Sequence, residues 1–332
     1  MWHAAMLFGA CLGTVLLLNQ TKLSLFTKLV LGYFLGYAVC TAFLQPAGSP
    51  SALESYMRLS SARLALSMLL VGVTLNSSLM PWVSGLTSLF HMVVLPILVF
   101  VGVSPYVGNS QDTLAIAIMM PIAFRHSSMK AQVLASVLPI AAILSVRGGA
   151  AGQVVLLIYL MGLLYKFVPR KASLVIGALI LCFGVATAAM QLGLHDLSIS
   201  QNRGALWIPY LDLWAKYAHP VFGMGPASFE AVSASVGKSI SEYRARMWLH
   251  GDWIQILFEF GLLGIVLAVS LYLRTLWRVR SNYRIFLATL GLGVGMIVYS
   301  PLQFWTFQLL AAWLVKVSDE EISTPSSTIK AG

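Results

Sequence analysis

The stretch HGDWIQILFEFGLLGIVLAVSLYL, residues 250–273, decides the fold of this chain. It opens with a histidine, a glycine and an aspartate, and most of its remaining residues are apolar. An α-helix needs about 20 mainly apolar residues to cross the hydrocarbon core of a bilayer. The pattern therefore predicts a membrane-spanning helix whose polar residues are gathered near its beginning.

Apolar runs of similar length recur along the chain. Of the 332 residues, 58% are hydrophobic and 10% are charged, whereas a soluble protein carries roughly 25% charged residues. The composition predicts an all-α, polytopic membrane helix bundle with about 11 transmembrane spans. The predicted spans lie near residues 3–19, 24–44, 62–80, 82–103, 112–124, 130–146, 149–168, 172–194, 252–273, 284–300 and 302–317.

These spans form one predicted transmembrane domain, residues 1–317, which contains a single long loop at residues 195–251. We expect this loop to be helical in part and to lie outside the cytoplasm. The last residues, 318–332, are mostly polar. We predict that they form a disordered cytoplasmic tail, because so few of their side chains are able to join an apolar core.

The distribution of lysine and arginine predicts the orientation. If the N-terminus lies outside, thirteen of the 21 Lys and Arg residues fall on one side, while Arg58, Arg63 and Arg147 occupy the short loops of the other. Short cytoplasmic loops are enriched in these residues, and long loops count little. The N-terminus and residues 195–251 are therefore predicted outside and the C-terminus in the cytoplasm.

The remaining composition argues against several classes of site. Cys11, Cys40 and Cys182 lie in apolar runs without the spacing of a metal site or a disulfide framework. The six histidines also lack metal-ligand spacing. We expect no metal and no cofactor. The net charge of +10 is interpreted first as an orientation signal, and no nucleic-acid partner is predicted.

The long loop contains a predicted helix followed by a tight turn. Within RGALWIPYLDLWAKYAH, residues 203–219, aromatic and leucine side chains recur at helical spacing, which predicts a helix with an aromatic face at the membrane interface. The turn GMGP follows at residues 223–226. Its glycines, Gly223 and Gly225, are given a structural role, because glycine supplies backbone angles that other residues disfavour.

His250 is the candidate for proton transfer. A histidine titrates near neutral pH and is able to take the proton of an attacking hydroxyl. An interfacial histidine that only forms local hydrogen bonds is the simpler alternative.

Two arginines are candidates for binding a phosphate or diphosphate, whose oxygens match the guanidinium fork. Arg147 stands between two apolar runs in ILSVRGGAAGQVV, and Arg203 begins the predicted loop helix. A snorkelling anchor for Arg147 and a solvated position for Arg203 are the alternatives. Arg244 and Arg246, just before His250, are assigned at most an auxiliary electrostatic role.

Asp252, Gln255 and Glu259 form a polar stripe along one side of the predicted span. At about 100° per residue this stripe lies roughly opposite His250, so neither acid is expected to orient the histidine. Asp252 is kept as an auxiliary candidate or as a favourable charge at a helix N-terminus. Glu259 is expected to face the protein interior, find a partner there and serve the structure.

Three blocks, in this order, resemble the O-antigen ligase and polymerase superfamily of bacterial membrane glycosyltransferases. The first is SVRGGAAG, residues 145–152. The second is NRGALWIPYLDLWAKYAHPVFGMGPASF, residues 202–229, and the third is HGDWIQILFEFGLLG, residues 250–264. The likeness covers roughly residues 140–270, and it departs at Gly251, where the family usually has asparagine.

The resemblance implies a metal-independent transfer of a glycan from an undecaprenyl-diphosphate carrier to a hydroxyl acceptor. The reaction would take place on the outer face of the bacterial inner membrane, with lipid A core, a growing glycan or a protein hydroxyl as acceptor. By the same resemblance Arg147 and Arg203 hold the diphosphate and His250 helps to activate the acceptor. Ligase and polymerase are not distinguished.

A membrane transporter or flippase of polysaccharide precursors is the alternative. Transporters carry ionisable residues near the membrane midplane, or pairs of discontinuous helices. In this sequence the charges gather at the predicted interfaces, which favours the enzyme.

Overall fold

The computed structural model describes residues 23–44, 203–225, 251–298 and 305–323, together with Val101, Ala172, Val175 and Ser228. Within these ranges the chain is helical, without any β-strand, which agrees with the all-α prediction. The other predicted spans, and with them the total of about 11, lie outside the described residues.

The described part of the chain forms five α-helices. They are α1 (Leu25–Leu44), α2 (Arg203–Tyr217), α3 (Asp252–Arg278), α4 (Tyr283–Val298) and α5 (Trp305–Ser323). A short 3-10 helix, Val279–Ser281, links α3 to α4. The predictions of helix over 24–44, 284–300 and 302–317 are confirmed within the described residues, as is the helix that starts at Arg203. The predicted span over 252–273 is helical but interrupted.

Helix α3 is broken at Gly261, whose φ of 67° and ψ of −164° are not helical. The break divides it into α3a, residues 252–260, and α3b, residues 262–278. Trp253 on α3a and Tyr272 on α3b nevertheless have ring centroids only 5.6 Å apart. In a straight helix their Cα atoms would be separated by about 28 Å.

Helix α3a therefore folds back along α3b, so that the two halves enclose an acute angle. Trp253 also donates its indole N–H to the carbonyl of Gly293 on α4, at 3.1 Å. A single continuous span over residues 252–273 was predicted, and that prediction is wrong at Gly261. The apolar side chains continue through the break, but the backbone hydrogen bonds do not.

The segment Asp252–Ser281 is the one stretch of the described chain with the length and apolar composition to cross a membrane. Helix α3b alone is about 25 Å long, at the lower end of what a bilayer core requires. Large apolar side chains on α3b remain exposed: Leu262, Val266, Leu273 and Trp277.

Helix α1 packs antiparallel to α3b, as contacts at both ends demonstrate. Near the beginning of α1, the Thr27 hydroxyl donates to the carboxylate of Asp319 on α5. Arg278 of α3b donates to the same carboxylate. Further along α1, Phe34 packs edge-on against Phe260 at the break, with ring centroids 4.8 Å apart. The break in α3 thus lies beside the middle of α1.

The carboxylate of Asp319 joins three helices. It accepts hydrogen bonds from the Ser24 backbone N–H at 2.9 Å and the Thr27 hydroxyl at 2.7 Å. It also forms ion pairs with Arg278 and, at 3.7 Å, with Arg274. The Asp319 side chain is 2% exposed, so this carboxylate is a buried, fully engaged link between α1, α3b and α5.

Helix α5 extends to Ser323, beyond the end of the predicted span. Ser318 and Asp319 are both buried. The prediction of a disordered tail from residue 318 is therefore wrong for residues 318–323, because Asp319 obtains partners from α1 and α3b that stabilise this part of the helix. Residues 324–332 lie outside the described ranges.

Candidate functional site

The turn at residues 219–225 is inserted into the break of α3 and binds both of its ends. The N–H groups of Met224 and Gly225 donate to the carbonyls of Phe258 and Glu259, at 3.0 and 2.9 Å. On the other side, the N–H groups of Leu262 and Leu263 donate to the carbonyls of Pro220 and Val221, both at 3.0 Å. The turn therefore supplies partners for backbone groups that the broken helix leaves unbonded.

Glycine is required at the point where the turn meets the break. Gly223, Gly225 and Gly261 all have positive φ, of 75°, 97° and 67°. A Cβ on Gly223 would stand 2.6 Å from the Gly261 nitrogen, and a Cβ on Gly261 would stand 2.4 Å from the Val221 oxygen. The structural role predicted for Gly223 and Gly225 is confirmed, and Gly261 shares it.

Two tyrosines of α1 hold the same region from the other side. The Tyr37 hydroxyl donates to the carbonyl of Phe222 in the turn, at 2.8 Å, and that of Tyr33 donates to the carbonyl of Phe260 at 3.4 Å. The two tyrosine rings are stacked, with centroids 5.9 Å apart. Helix α1, the turn and α3a are thereby joined into one unit.

Helix α2 buries its aromatic face against α3a. Trp207 and Tyr210 form a buried cluster with Phe258, and the Tyr210 and Phe258 rings meet edge to face with centroids 5.9 Å apart. The predicted aromatic face is confirmed for these residues. Tyr217, the last residue of α2, is exposed.

The polar stripe of α3a points into the protein. Asp252 and Glu259 are 3% and 6% exposed, and the Gln255 amide donates to a Glu259 carboxylate oxygen at 3.1 Å. The predicted interior position of Glu259 is confirmed. Asp252 occupies the first turn of α3a, where a negative charge is favourable, and Gly251 before it has an extended backbone without a side-chain cap.

The structure brings together the second and third of the sequence blocks. Arg203 is the first residue of α2, one helical turn before Trp207, which packs on α3a. His250 directly precedes Gly251, the residue before α3a. The described residues include the backbone of Arg203 but not its side chain, and they do not include Arg147, Arg244, Arg246 or His250. The convergence of these side chains on one site therefore stays a prediction.

Two polar groups beside α3a were missed by the sequence reasoning. The indole N–H of Trp214 and the hydroxyl of Ser228 are buried, and neither finds a hydrogen-bond partner in the part of the chain that the structure describes. Sequence gave no signal for them, because an unpaired donor is a property of packing. Among the described residues, no group of three His, Cys, Asp or Glu side chains is arranged to hold a metal.

No model of a known protein family matches the chain, and no curated protein matches it. The likeness of the three blocks to the O-antigen ligase and polymerase superfamily thus stays a prediction from the sequence.

Proposed function

We propose that this protein is a membrane glycosyltransferase of the O-antigen ligase or polymerase type. It would move a glycan from an undecaprenyl-diphosphate carrier to a hydroxyl acceptor on the outer face of the bacterial inner membrane. In this proposal Arg147 and Arg203 bind the diphosphate, His250 takes the acceptor proton, and neither a metal nor a cofactor takes part.

The observation that carries the proposal is the insertion of the 219–225 turn into the break of α3. The second and third blocks of the resemblance are separated by about twenty residues in sequence, yet four backbone hydrogen bonds connect them. Helix α2, from the second block, packs on the same half-helix. A site built on such connected elements keeps its reacting groups in fixed positions, which transfer chemistry requires.

The chemistry assigned to the three candidate residues is self-consistent. The lipid diphosphate is the leaving group, and charge develops on its phosphate oxygens as the bond between the anomeric carbon and the phosphate breaks. Guanidinium groups stabilise such charge in a site from which water is excluded. The acceptor hydroxyl loses its proton as it attacks the anomeric carbon, and a histidine is suited to accept that proton.

The charges of the described helices support the proposed orientation. Arg274 and Arg278 lie in the last part of α3b, and Arg280 lies in the 3-10 helix that follows it. Cytoplasmic ends of spans are enriched in arginine. The break at Gly261 lies about 25 Å away along α3b. In a membrane this separation would place the turn toward the opposite, outer side, and exposed Leu262 and Val266 would face lipid.

A transporter of lipid-linked precursors remains a second candidate, and one observation favours it. Transporters use discontinuous helices to build sites within the membrane, and α3 is discontinuous, with buried Asp252 and Glu259 on its folded-back half. Against this candidate, the backbone groups at the break are bonded to the turn. In transporters the corresponding groups contact the substrate or ion.

The proposal is tested in a strain from which the gene is deleted and then restored on a plasmid. Arg147→Ala, Arg203→Ala and His250→Ala should each abolish, or lower by at least about 100-fold, the formation of long surface glycan. Lys216→Ala is the control for Arg203, because it removes an exposed positive charge from the same helix. His126→Ala, in a predicted cytoplasmic loop, is the control for His250.

Each variant is first confirmed by its membrane level to be stably expressed. Normal surface glycan in a stable His250→Ala strain would overturn the proposed chemistry. Loss of long chains attached to lipid A core would identify a ligase, while addition of single repeat units only would identify a polymerase.

A further inference from the structure

Two buried hydrogen-bond donors stand beside α3a without a partner among the described residues. They are the indole N–H of Trp214 and the hydroxyl of Ser228. Ser228 is 4% exposed. Native structures contain few such groups, and each has a physical reason, because a buried unpaired donor is destabilising.

Both donors border the connection between the turn and α3a. Trp214 packs against the cluster formed by Trp207, Tyr210 and Phe258, and Met224 of the turn and Ile254 of α3a pack against the same cluster. The backbone N–H of Ser228 donates to the Gly225 carbonyl at 3.2 Å, and Gly225 in turn donates to Glu259. Ile254 lies in the first turn of α3a, so the cluster that Trp214 joins reaches the start of this half-helix.

The character of this region matches a sugar better than a phosphate. The cluster that Trp214 packs against is aromatic, and the described cation closest to it in sequence, Lys216, is exposed. A diphosphate requires cations, which the proposed function takes from Arg147 and Arg203. A sugar ring has apolar faces that pack on aromatic rings, and neutral hydroxyls that accept hydrogen bonds from neutral donors.

We propose that Trp214 and Ser228 bind the glycan part of the donor substrate, with the Trp214 N–H and the Ser228 O–H donating to sugar oxygens. This inference rests on the proposed function and adds a specificity subsite to it. The two residues hold the sugar and take no part in proton transfer.

Trp214→Phe provides the sharpest test, because it keeps an aromatic ring in the cluster and removes only the N–H and part of the ring system. Binding is measured to the purified chain in nanodiscs with two probes. One is a synthetic polyprenyl diphosphate that carries an oligosaccharide, and the other is the same polyprenyl diphosphate without sugar. Trp214→Phe should raise the Kd of the sugar-bearing probe roughly three- to tenfold and leave the Kd of the bare probe unchanged.

Two variants serve as controls. Trp277→Phe makes the same chemical change at an exposed tryptophan at the far end of α3b. Tyr272→Phe removes another buried hydroxyl that has no partner among the described residues, but this one is packed against Gly293 of α4. Neither should change the Kd of either probe. Tyr272→Phe should leave the midpoint of thermal unfolding equal or higher, since it keeps the ring and removes only an unpaired donor.

The possible outcomes test the sugar subsite separately from the proposed function. Equal affinity of wild type and Trp214→Phe for the sugar-bearing probe would overturn the subsite while leaving the proposed function standing. A parallel loss for both probes would also overturn it, because a sugar contact cannot affect a probe that lacks sugar. If wild type binds neither probe, the proposed function fails and the subsite with it.

Discussion

Gly223 and Gly261 lie backbone to backbone, although they are 38 positions apart in the chain. A Cβ on Gly261 would stand 2.5 Å from the Gly223 nitrogen, and a Cβ on Gly223 would stand 2.6 Å from the Gly261 nitrogen. This mutual approach allows the turn to bond both ends of the broken helix. The two glycines therefore fix the geometry at the centre of the candidate site.

Replacing Gly261 by alanine should destabilise the protein strongly. Its backbone angles are essentially restricted to glycine, at a cost of roughly 1–3 kcal/mol for other residues, and the new methyl would collide with the Val221 carbonyl. Thermal unfolding in detergent measures the effect. Gly36→Ala on α1 is the matched control: a Cβ there meets no atom within 4 Å, and alanine favours a helix by about 1 kcal/mol. Equal stability of the two variants would contradict the proposed geometry.

The fold-back of α3a predicts a specific cross-link. A photoreactive benzoylphenylalanine in place of Trp253 should label Tyr272 or Gly293, since Trp253 contacts both in the structure. Peptide mass spectrometry identifies the labelled position. The same probe in place of the exposed Trp277 should label lipid or detergent instead. Labelling from position 253 that never reaches α3b or α4 would indicate a straight α3 and contradict the fold-back of α3a.

Asp319→Asn should lower the free energy of unfolding by about 3 kcal/mol. Arg274 and Arg278 would then face a neutral amide in place of the buried carboxylate. The neighbouring Glu320→Gln is the control. Glu320 forms a partly exposed i,i+4 pair with Lys316 at 3.9 Å, and i,i+4 pairs on helices contribute only about 0.3–0.5 kcal/mol. Urea or thermal unfolding of both variants provides the comparison. Similar losses for the two would mean that Asp319 does not link α1, α3b and α5.

The sequence predicts the helices well and the break in α3 not at all. Hydrophobic runs identify α1, α4 and α5, because their apolar residues must be removed from water whatever their neighbours are. The run around Gly261 is equally apolar on both sides. A single glycine lowers the stability of a helix by only about 1 kcal/mol relative to alanine, so a glycine in an apolar run does not by itself predict a break. The bonds that stabilise the break come from the turn at residues 219–225, which is distant in sequence.

The interactions of Asp319 and Trp214 also depend on residues that are distant in sequence, so local patterns do not predict them. A polar stretch after an apolar helix is typical of a disordered tail, and only the positions of Ser24, Thr27 and Arg278 make a helix favourable at Asp319. The unpaired N–H of Trp214 likewise depends on what surrounds it. Local patterns thus predicted where the described helices lie, whereas the pairing of polar groups between helices required the three-dimensional arrangement.

The most direct test of the proposed function is whether the glycan–phosphate bond is cleaved. The purified chain in nanodiscs is mixed with a synthetic polyprenyl-diphosphate oligosaccharide and a hydroxyl acceptor in the presence of EDTA. Release of free polyprenyl diphosphate and formation of the glycosylated acceptor are then followed by mass spectrometry. The proposal predicts both products from wild type and neither from a folded His250→Ala variant. An intact donor after incubation with wild type, together with movement of that donor across a vesicle bilayer, would contradict the transferase and identify a transporter.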